Sequence, residues 1–269
     1  MPYPRVIPHS DGAGVIDEVG PGVDEALLGR QAWCYGAQSY RPFGTAAEYT
    51  VIPAELAVPL PEQASAEQAA GLGIAGITGY RAVFADGPVD GLHVLVYGAA
   101  GGVGSIATHM AARGGAHVLA VVRTPDQQDA VRGYGVTATF LDSDPDLAAR
   151  IRDIAPEGVH RIAEVDFAAH IDLNADLIAV GATISSYYSG QDRPEIPYWK
   201  LGFADTTLRL LGSDDFPPQA KAGAAAELTA ALVEGALTVR IAHRLPLDRI
   251  ADAHEQIEHG AHGRVILSL

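Results

Sequence analysis

The clearest chemistry in this sequence belongs to a glycine-rich turn between residues 98 and 104. An apolar stretch, Val94 to Tyr97, leads directly into this turn, and an alanine-rich segment begins at Ile106. Glycines let a backbone approach phosphate groups closely, and the first turn of a following helix directs unpaired N–H groups and its positive dipole end toward them. The pattern therefore predicts a pyrophosphate-binding loop, although Ala99 occupies the first glycine position of the usual G-x-G-x-x-G pattern. The loop residues expected to contact a cofactor are Ala100, Gly101, Gly102 and Val103.

A second apolar segment, Ala116 to Val122, follows the predicted helix and continues a βαβ unit. NAD-selective folds place an acidic residue at the end of this strand, where it holds the ribose hydroxyls. This sequence has Arg123 and Thr124 there instead. A guanidinium suits a 2′-phosphate because it forms bidentate, charge-assisted hydrogen bonds, and the Thr124 hydroxyl adds a donor. The sequence therefore favours NADP(H) over NAD, with Gln127 as a further candidate, although a strand-end arginine is also compatible with simple solvation.

The elements that must position this unit alternate between strand and helix from His93 onward. Such alternation is typical of a parallel sheet with helices on both faces, which predicts a Rossmann-type, doubly wound α/β domain over residues 85–239. Residues 1–84 and 240–269 are predicted to form a second domain, in which turns separate short β segments. The predicted strands are 93–97, 116–122, 137–141, 161–165, 182–187 and 207–211 in the parallel sheet, and 12–19, 31–35, 46–52, 240–245 and 264–269 in the second domain. The predicted helices are 65–72, 78–84, 103–113, 126–133, 146–153, 219–234 and 247–259, with Ser65 as an N-cap.

Composition and charge exclude several classes of protein. The chain is 48% hydrophobic and 19% charged, which is typical of a folded domain with a sizeable core. A net charge of -15 opposes binding to nucleic acid and to anionic membranes. No apolar run approaches the roughly 18–20 residues needed to cross a bilayer and no signal peptide opens the chain, so we expect a cytoplasmic protein. Cys34 is the only cysteine, which excludes an intrachain disulfide and a multi-cysteine zinc site.

Five groups of short segments follow one another along nearly the whole chain. They are PHSDGAGVI at 8–16, GTAAEY at 44–49, GITGYRA at 76–82, the glycine loop, and ADAH at 251–254 with GRVIL at 263–267. Together they resemble the zinc-free quinone oxidoreductase (zeta-crystallin-like) branch of the medium-chain dehydrogenase/reductase superfamily. The resemblance implies a GroES-like β-barrel beside the Rossmann domain. Members of this family normally begin with several more barrel strands, so we expect a partial barrel, through either a naturally shortened chain or a start assigned at an internal methionine.

The resemblance also implies that no metal takes part. Zinc-dependent members of the superfamily carry a Gly-His-Glu triplet where this sequence has His9-Ser10-Asp11, so Ser10 replaces a ligand histidine. Ile74 stands where those enzymes place a cysteine ligand, and the four-cysteine structural zinc lobe is missing. His254 and His259 are five residues apart, whereas the zinc-protease pattern requires a separation of four.

Further cofactor contacts follow from the resemblance. Thr78 and Val103 correspond to positions that pack against the nicotinamide, and Arg264 corresponds to a basic residue that reaches the cofactor phosphates. Tyr188 and Ser189 follow a predicted strand whose end faces the ligand crevice, so we expect them near the cofactor. Tyr134 aligns loosely with a tyrosine near the adenosine, but a packing role is equally compatible with its position.

The segment 35–41 is expected near the substrate cleft by the same resemblance. Within it, Tyr40 or Gln38 would act as the catalytic hydrogen-bond donor to a substrate oxygen, and a solvated turn is the alternative. The predicted reaction is metal-independent hydride transfer from NADPH to a quinone or a related conjugated carbonyl.

Two other functions remain open at this stage. One is an enoyl or alkenal reductase of the same superfamily, and the other is a non-catalytic NADPH-binding protein with a shortened barrel. In each case the expected partners are a small-molecule quinone or enone and a second copy of the chain. We expect this homodimer to form through the edge strand Thr207 to Leu211.

Overall fold

The computed structural model describes residues 3–269, so Met1 and Pro2 lie outside the described part of the chain. The chain divides into two compact units. The flanking unit comprises Met1–Ile77 and Asp214–Leu269, and the central unit comprises Thr78–Ser213. The domain boundaries that the sequence predicts, at 84/85 and 239/240, stay a prediction.

Eleven strands and nine α-helices occur within residues 3–269. The strands are β1 Gly12–Val15, β2 Gln31–Cys34, β3 Ala57–Pro59, β4 His93–Tyr97, β5 His117–Val122, β6 Ala138–Leu141, β7 Val159–Glu164, β8 Ile178–Ser186, β9 Thr207–Leu210, β10 Ile241–Pro246 and β11 Arg264–Ser268. The helices are α1 Ala66–Ala70, α2 Gly73–Phe84, α3 Gly102–Arg113, α4 Pro125–Val131, α5 Leu147–Ile154, α6 Phe167–Leu177, α7 Tyr198–Phe203, α8 Pro218–Val233 and α9 Ile250–Glu258.

The central unit is built on a six-stranded parallel sheet in the order β6-β5-β4-β7-β8-β9. The chain therefore starts this sheet in the middle at β4, moves outward to β6, and returns to the other side of β4 at β7. This is the doubly wound strand order of dinucleotide-binding folds, whose ligand crevice opens at the carboxyl ends of the strands where the order reverses. The predicted Rossmann-type fold class is confirmed.

Both faces of this sheet are buried, because helices cover each of them. Along β4, Leu95 and Tyr97 belong to one buried apolar cluster, whereas Val94 and Val96 belong to another. Successive side chains of a strand point to opposite faces, so a strand buried on both sides has an almost continuous apolar sequence. This explains why the parallel strands were predictable from their composition.

The flanking unit contains a three-stranded antiparallel sheet in the order β1-β2-β3 and a parallel pair of β10 with β11. Trp33 of β2 is fully buried, and its indole N–H donates to Thr229 Oγ1 of α8 at 3.0 Å. Ser65 caps α1, since its hydroxyl accepts a hydrogen bond from Gln68 N, as predicted. The small antiparallel sheet corresponds to the expected partial barrel.

The strand predicted at 46–52 is wrong, because the chain is irregular there. Just before this segment, the N–H groups of Thr45 and Ala46 donate to the carbonyls of His9 and Pro8. The next strand is β3, which pairs with β2. A three-residue strand that ends on a proline has too little pattern to be visible in a sequence.

Candidate functional site

The glycine turn after β4 is closed by contacts that exclude side chains. Gly98 has a φ of +62°, a left-handed conformation that favours glycine. A Cβ atom placed on Gly104 would lie 2.2 Å from the carbonyl oxygen of Gly98, so this position accepts no larger residue without displacement of the turn. Gly101 N donates to the same carbonyl at 2.8 Å, and Ala99 N donates to Val121 O of β5 at 3.1 Å. These contacts fix the start of α3 directly beyond the end of β4.

The N-terminus of α3 is available to an anionic ligand. Gly101 is the N-cap residue, with extended backbone and no side chain to accept from the helix N–H groups. The N–H groups of the first helical residues, 102–104, therefore have no partner within the helix. Gly101 and Gly102 are exposed. A phosphate group fits such a cradle, since the N–H groups and the helix dipole both favour negative charge.

Helix α2 packs closely against α3 in the central unit. A Cβ on Gly79 would lie 2.8 Å from Val103 O and 3.0 Å from Ala107 N, so the helices approach each other through this glycine. Thr78, the residue before it, is buried with 6% of its surface exposed. The structure thus places the predicted residues Thr78 and Val103 on two helices in direct contact.

The end of β5 presents an exposed arginine. Arg123 is exposed, and within residues 3–269 its guanidinium forms neither an ion pair nor a hydrogen bond. Thr124 caps α4 by accepting from Gln127 N, and the Gln127 side-chain oxygen accepts from Arg123 N at 3.0 Å. Gln127 is buried, so its observed role is to shape this turn. Asp126 lies in the first turn of the same helix and was missed in the sequence, although its distance from the glycine loop resembles that of an NAD-type acidic residue.

Tyr188 and Ser189 follow β8 and lie in a loop at the carboxyl edge of the same sheet. The Tyr188 side chain is 61% exposed, whereas the Ser189 hydroxyl donates to Gln191 O at 2.7 Å.

Tyr134 packs its ring against His109 of α3, with centroids 4.1 Å apart. This contact is the packing role that the sequence left open for Tyr134.

Arg264 lies in the flanking unit, where it belongs to a partly buried polar group. Its Nε donates to Gly71 O at 2.9 Å, and its Nη2 is shielded from solvent without a hydrogen-bond partner among residues 3–269. Asp11 is partly buried nearby and accepts from Ile74 N at 3.0 Å. Burial raises the pKa of Asp11, and the hydrogen bond from Ile74 and the charge of Arg264 oppose the rise. Gly73 has a φ of +45°, and a Cβ there would lie 1.9 Å from the Asp11 carboxyl carbon.

The two residues predicted to be catalytic, Tyr40 and Gln38, also lie in the flanking unit. The Tyr40 ring is 71% exposed, and its hydroxyl donates to Asp215 Oδ2 at 2.9 Å. This hydrogen bond raises the pKa of Tyr40. Ser39 anchors the same segment by donating to Asp214 Oδ1 at 2.5 Å. Tyr40 would therefore have to leave Asp215 in order to donate to a substrate oxygen, while Gln38 is half-buried beside it.

A histidine pair joins His9, near the start of the chain, to His254 of α9. His9 Nε2 and His254 Nε2 are 3.0 Å apart, so one ring donates a hydrogen bond to the other. Burial and the neighbouring His254 lower the pKa of His9. Over residues 3–269, no three or more His, Cys, Asp or Glu side chains are grouped so that they would hold a metal ion. In the same range, no helix combines the length and apolar character needed to cross a bilayer.

The strand order and the glycine cradle at its reversal point define a dinucleotide-binding fold of the doubly wound class. Quinone oxidoreductase from Pongo abelii is 31% identical, over all of this chain and 80% of that protein. A mycobacterial quinone oxidoreductase has a TM-score of 0.87 at 27% identity, over 99% of this chain and 84% of that one. A mycobacterial protein complexed with NADPH has a TM-score of 0.83 at 26% identity, over 99% and 85%. No protein-family model matches.

The chain therefore belongs to the quinone oxidoreductase family of the medium-chain dehydrogenase/reductase superfamily, as the five sequence segments indicated. It is an oxidoreductase of that superfamily, and its cofactor is a nicotinamide dinucleotide. The individual site residues stay predictions, since the structure locates them without a bound ligand.

Replacing Gly104 with alanine should weaken coenzyme binding, because the added Cβ would collide with the Gly98 carbonyl and open the turn. We expect the Kd for the reduced coenzyme, measured by calorimetry, to rise at least about tenfold, which corresponds to roughly 1.4 kcal/mol. Gly202→Ala is the matched control, because a Cβ at Gly202 meets no atom within 4 Å. Equal affinity in both variants would show that the close approach at Gly104 is not required.

Proposed function

We propose that this protein is an NADPH-dependent, metal-independent reductase that transfers hydride to a quinone or a related conjugated carbonyl. The observation that carries the proposal is the pairing of an uncapped, glycine-lined helix N-terminus with an unpartnered arginine at the end of the adjacent strand β5. The quinone oxidoreductases among its relatives and the NADPH complex of a similar fold support it.

The residues of the cradle fit a nicotinamide dinucleotide phosphate. The N–H groups at 102–104 would hold the pyrophosphate, and Arg123 and Thr124 would hold the 2′-phosphate. Asp126 in the same turn would repel that phosphate, but it does not neutralise Arg123 through an ion pair, so the cation remains available. Thr78, Val103, Tyr188 and Ser189 would orient the nicotinamide, and Arg264 stays a proposed phosphate contact on the sequence resemblance alone.

The chemistry assigned to the protein itself is orientation and hydrogen bonding. When bound, the reduced nicotinamide supplies the hydride. A quinone is already a good electrophile, so a hydrogen-bond donor at the developing oxyanion suffices and no Lewis acid is required. Tyr40 or Gln38 is proposed as this donor.

A direct assay tests the proposed function. The protein is mixed with NADPH and a panel of small quinones and non-aromatic enones, and the absorbance of the reduced nicotinamide is followed. Oxidation with the quinones is expected. Preferential turnover of the enones would favour an enoyl or alkenal reductase, and binding of NADPH without turnover of any acceptor would favour a non-catalytic NADPH-binding protein.

Replacing Arg123 with alanine should change coenzyme preference. We expect the Kd for NADPH to rise about tenfold, because charge-assisted hydrogen bonds contribute roughly 1.5–3 kcal/mol each, while the Kd for NADH stays nearly unchanged. Fluorescence titration with both coenzymes measures this. Arg150→Ala is the control, since Arg150 is an exposed arginine of α5 that pairs with Asp144 in the turn before that helix. A parallel loss for both coenzymes would contradict recognition of the 2′-phosphate by Arg123.

Replacing Tyr40 with phenylalanine should lower quinone reduction if the hydroxyl contacts the substrate. We expect kcat/KM for the quinone to fall about tenfold, since a developing oxyanion loses a donor worth roughly 1.4 kcal/mol or more. Tyr49→Phe is the control, because Tyr49 is equally exposed in the same unit. An unchanged kcat/KM would remove Tyr40 from the reaction and leave Gln38 as the candidate.

The edge of the parallel sheet supports the proposed homodimer. Strand β9 pairs only with β8 among the described strands, so its outer backbone groups are available for pairing with a second copy. Leu210 on this strand and Trp199 and Phe203 on α7 are large apolar residues with more than half of their surface exposed.

Replacing Leu210 with arginine should therefore dissociate the dimer. We expect the molar mass, measured by light scattering during gel filtration, to fall from that of a dimer toward that of one 28.1 kDa chain. The control is Val51→Arg, since Val51 is similarly exposed in the flanking unit. A wild-type protein that is already monomeric would contradict the proposed dimer.

A further inference from the structure

Glu164, the last residue of β7, is a carboxylate with no exposed surface, and the cofactor cradle does not account for it. Its Oε1 accepts from Asp166 N at 2.7 Å and lies 2.8 Å from His170 Nδ1, and its Oε2 accepts from Asn174 Nδ2 at 2.7 Å. A buried carboxylate is costly unless it is paired and hydrogen-bonded, so these three partners are what allow it to remain there.

His170 is the basic partner of Glu164 in this network. Burial alone would lower the pKa of His170, but the hydrogen bond and the negative charge of Glu164 outweigh it and raise the pKa. The second ring nitrogen of His170 lies 3.6 Å from Asp142, and the ring stacks on Tyr97 with centroids 4.2 Å apart and planes 8° from parallel. The hydrogen bond with Glu164 and the stacking on Tyr97 therefore restrain the imidazole, and Asp142 lies beside its other edge.

The network determines the path of the backbone at residues 164–167. Because Glu164 Oε1 accepts from Asp166 N, the side chain closes the turn between β7 and α6. The turn at residues 164–167 also binds the loop that follows β8. Asp166 Oδ1 accepts from Gly190 N at 2.8 Å, Phe167 N donates to Tyr188 O at 3.0 Å, and Tyr187 N donates to Glu164 O at 3.2 Å.

The loop at 187–190 leaves little room for a different arrangement. A Cβ on Gly190 would lie 3.2 Å from Asp166 Oδ2, so the loop backbone lies against the carboxylate. Ser186 Oγ adds a further hydrogen bond to Tyr188 O at 3.0 Å. The carbonyl of Tyr188 therefore accepts two hydrogen bonds, one from the strand and one from the turn that Glu164 closes.

The position of this loop in the sheet indicates which half of a dinucleotide it would meet. Strands β5 and β8 lie on opposite sides of β4, with β7 between β4 and β8. In a doubly wound sheet each half binds one mononucleotide, with the pyrophosphate at the reversal point. Since Arg123 lies on the β5 side, the loop after β8 belongs to the half that would bind the nicotinamide.

We propose that Glu164 is a positioning residue for coenzyme binding, which acts by closing the 164–167 turn and, through Asp166, holding Tyr188 and Ser189 toward the nicotinamide half of the coenzyme. The inference rests on the proposed function and deepens it, since it assigns a buried charge network to one half of the ligand. Glu164 itself touches neither coenzyme nor substrate.

The test separates the two halves of the ligand. In Glu164→Gln the side chain keeps its size, but it loses its charge and one acceptor oxygen. The Kd for NADPH should rise about tenfold, whereas the Kd for 2′,5′-ADP, which contains no nicotinamide half, should remain within about twofold of wild type. Asp166→Ala should show the same selective loss, because it cuts the connection to Gly190 without altering the buried carboxylate. Calorimetry with both ligands gives the two constants.

Asp86→Asn is the matched control. Asp86 is a partly buried carboxylate of the same unit, paired with Arg209, and it has no bond to the 164–190 network, so both affinities should stay unchanged. If Glu164→Gln and Asp166→Ala bind NADPH as wild type does, or lose both ligands equally, the positioning role is overturned. If Glu164→Gln does not fold, Asp166→Ala decides alone.

Failure of the proposed function gives a different result. In that case wild type itself binds neither NADPH nor 2′,5′-ADP, and the inference fails together with it. If wild type binds NADH in place of NADPH, only the coenzyme assignment is overturned, and the same comparison is made between NADH and ADP.

Discussion

The contact between Gly104 and the carbonyl of Gly98 is the constraint on which the coenzyme site depends. Because no Cβ separates them, α3 can begin immediately beyond β4, at the point where the strand order of the sheet reverses. The bond from Ala99 N to Val121 O then fixes the turn to the neighbouring strand, two residues before Arg123. One steric requirement thus sets both the helix N-terminus and its distance from the cation.

The two sides of the reversal point use different physical means to hold their loops. On one side, the close approach of Gly104 to Gly98 shapes the turn after β4, and the Thr124 and Gln127 side chains shape the turn after β5 that leaves Arg123 exposed. On the β8 side, a buried carboxylate, a histidine and an asparagine organise the backbone, and this backbone positions the residues that face outward. The turn after β4 thus depends on the absence of a Cβ atom at Gly104, and the loop after β8 on the hydrogen bonds to a buried carboxylate.

The sequence was most informative where a single physical constraint restricted which residue types could occur. The apolar strands β4 and β5 and the glycine turn were predictable because burial on both faces and close backbone approach restrict composition strongly. Helix α6 was missed, because His170 and Asn174 lower its helical signal. Their separation of four residues places them on one helix face, and both bind Glu164, so the spacing itself was the available signal.

Other parts of the candidate site depend on contacts between distant positions and carry no local signal. Tyr40 was recognised as a polar residue in a loop, but its bond to Asp215 joins residues 175 positions apart. Asp11 lies against the turn at Gly73 and interacts with the charge of Arg264, and both are distant from it in the sequence. The irregular course of 46–52 has the same origin, since a β-prone segment becomes a strand only where a neighbouring strand is available.

The acidic character of the chain has a consequence for the ionic conditions in which it works. With a net charge of -15, the molecule repels an anionic coenzyme at long range, whereas the exposed guanidinium of Arg123 attracts it at short range. Electrolyte screens the first interaction over distances beyond about 8–10 Å, and it affects close contacts less. Moderate ionic strength should therefore speed the encounter with the coenzyme, because salt weakens the long-range repulsion more than the close contact with Arg123.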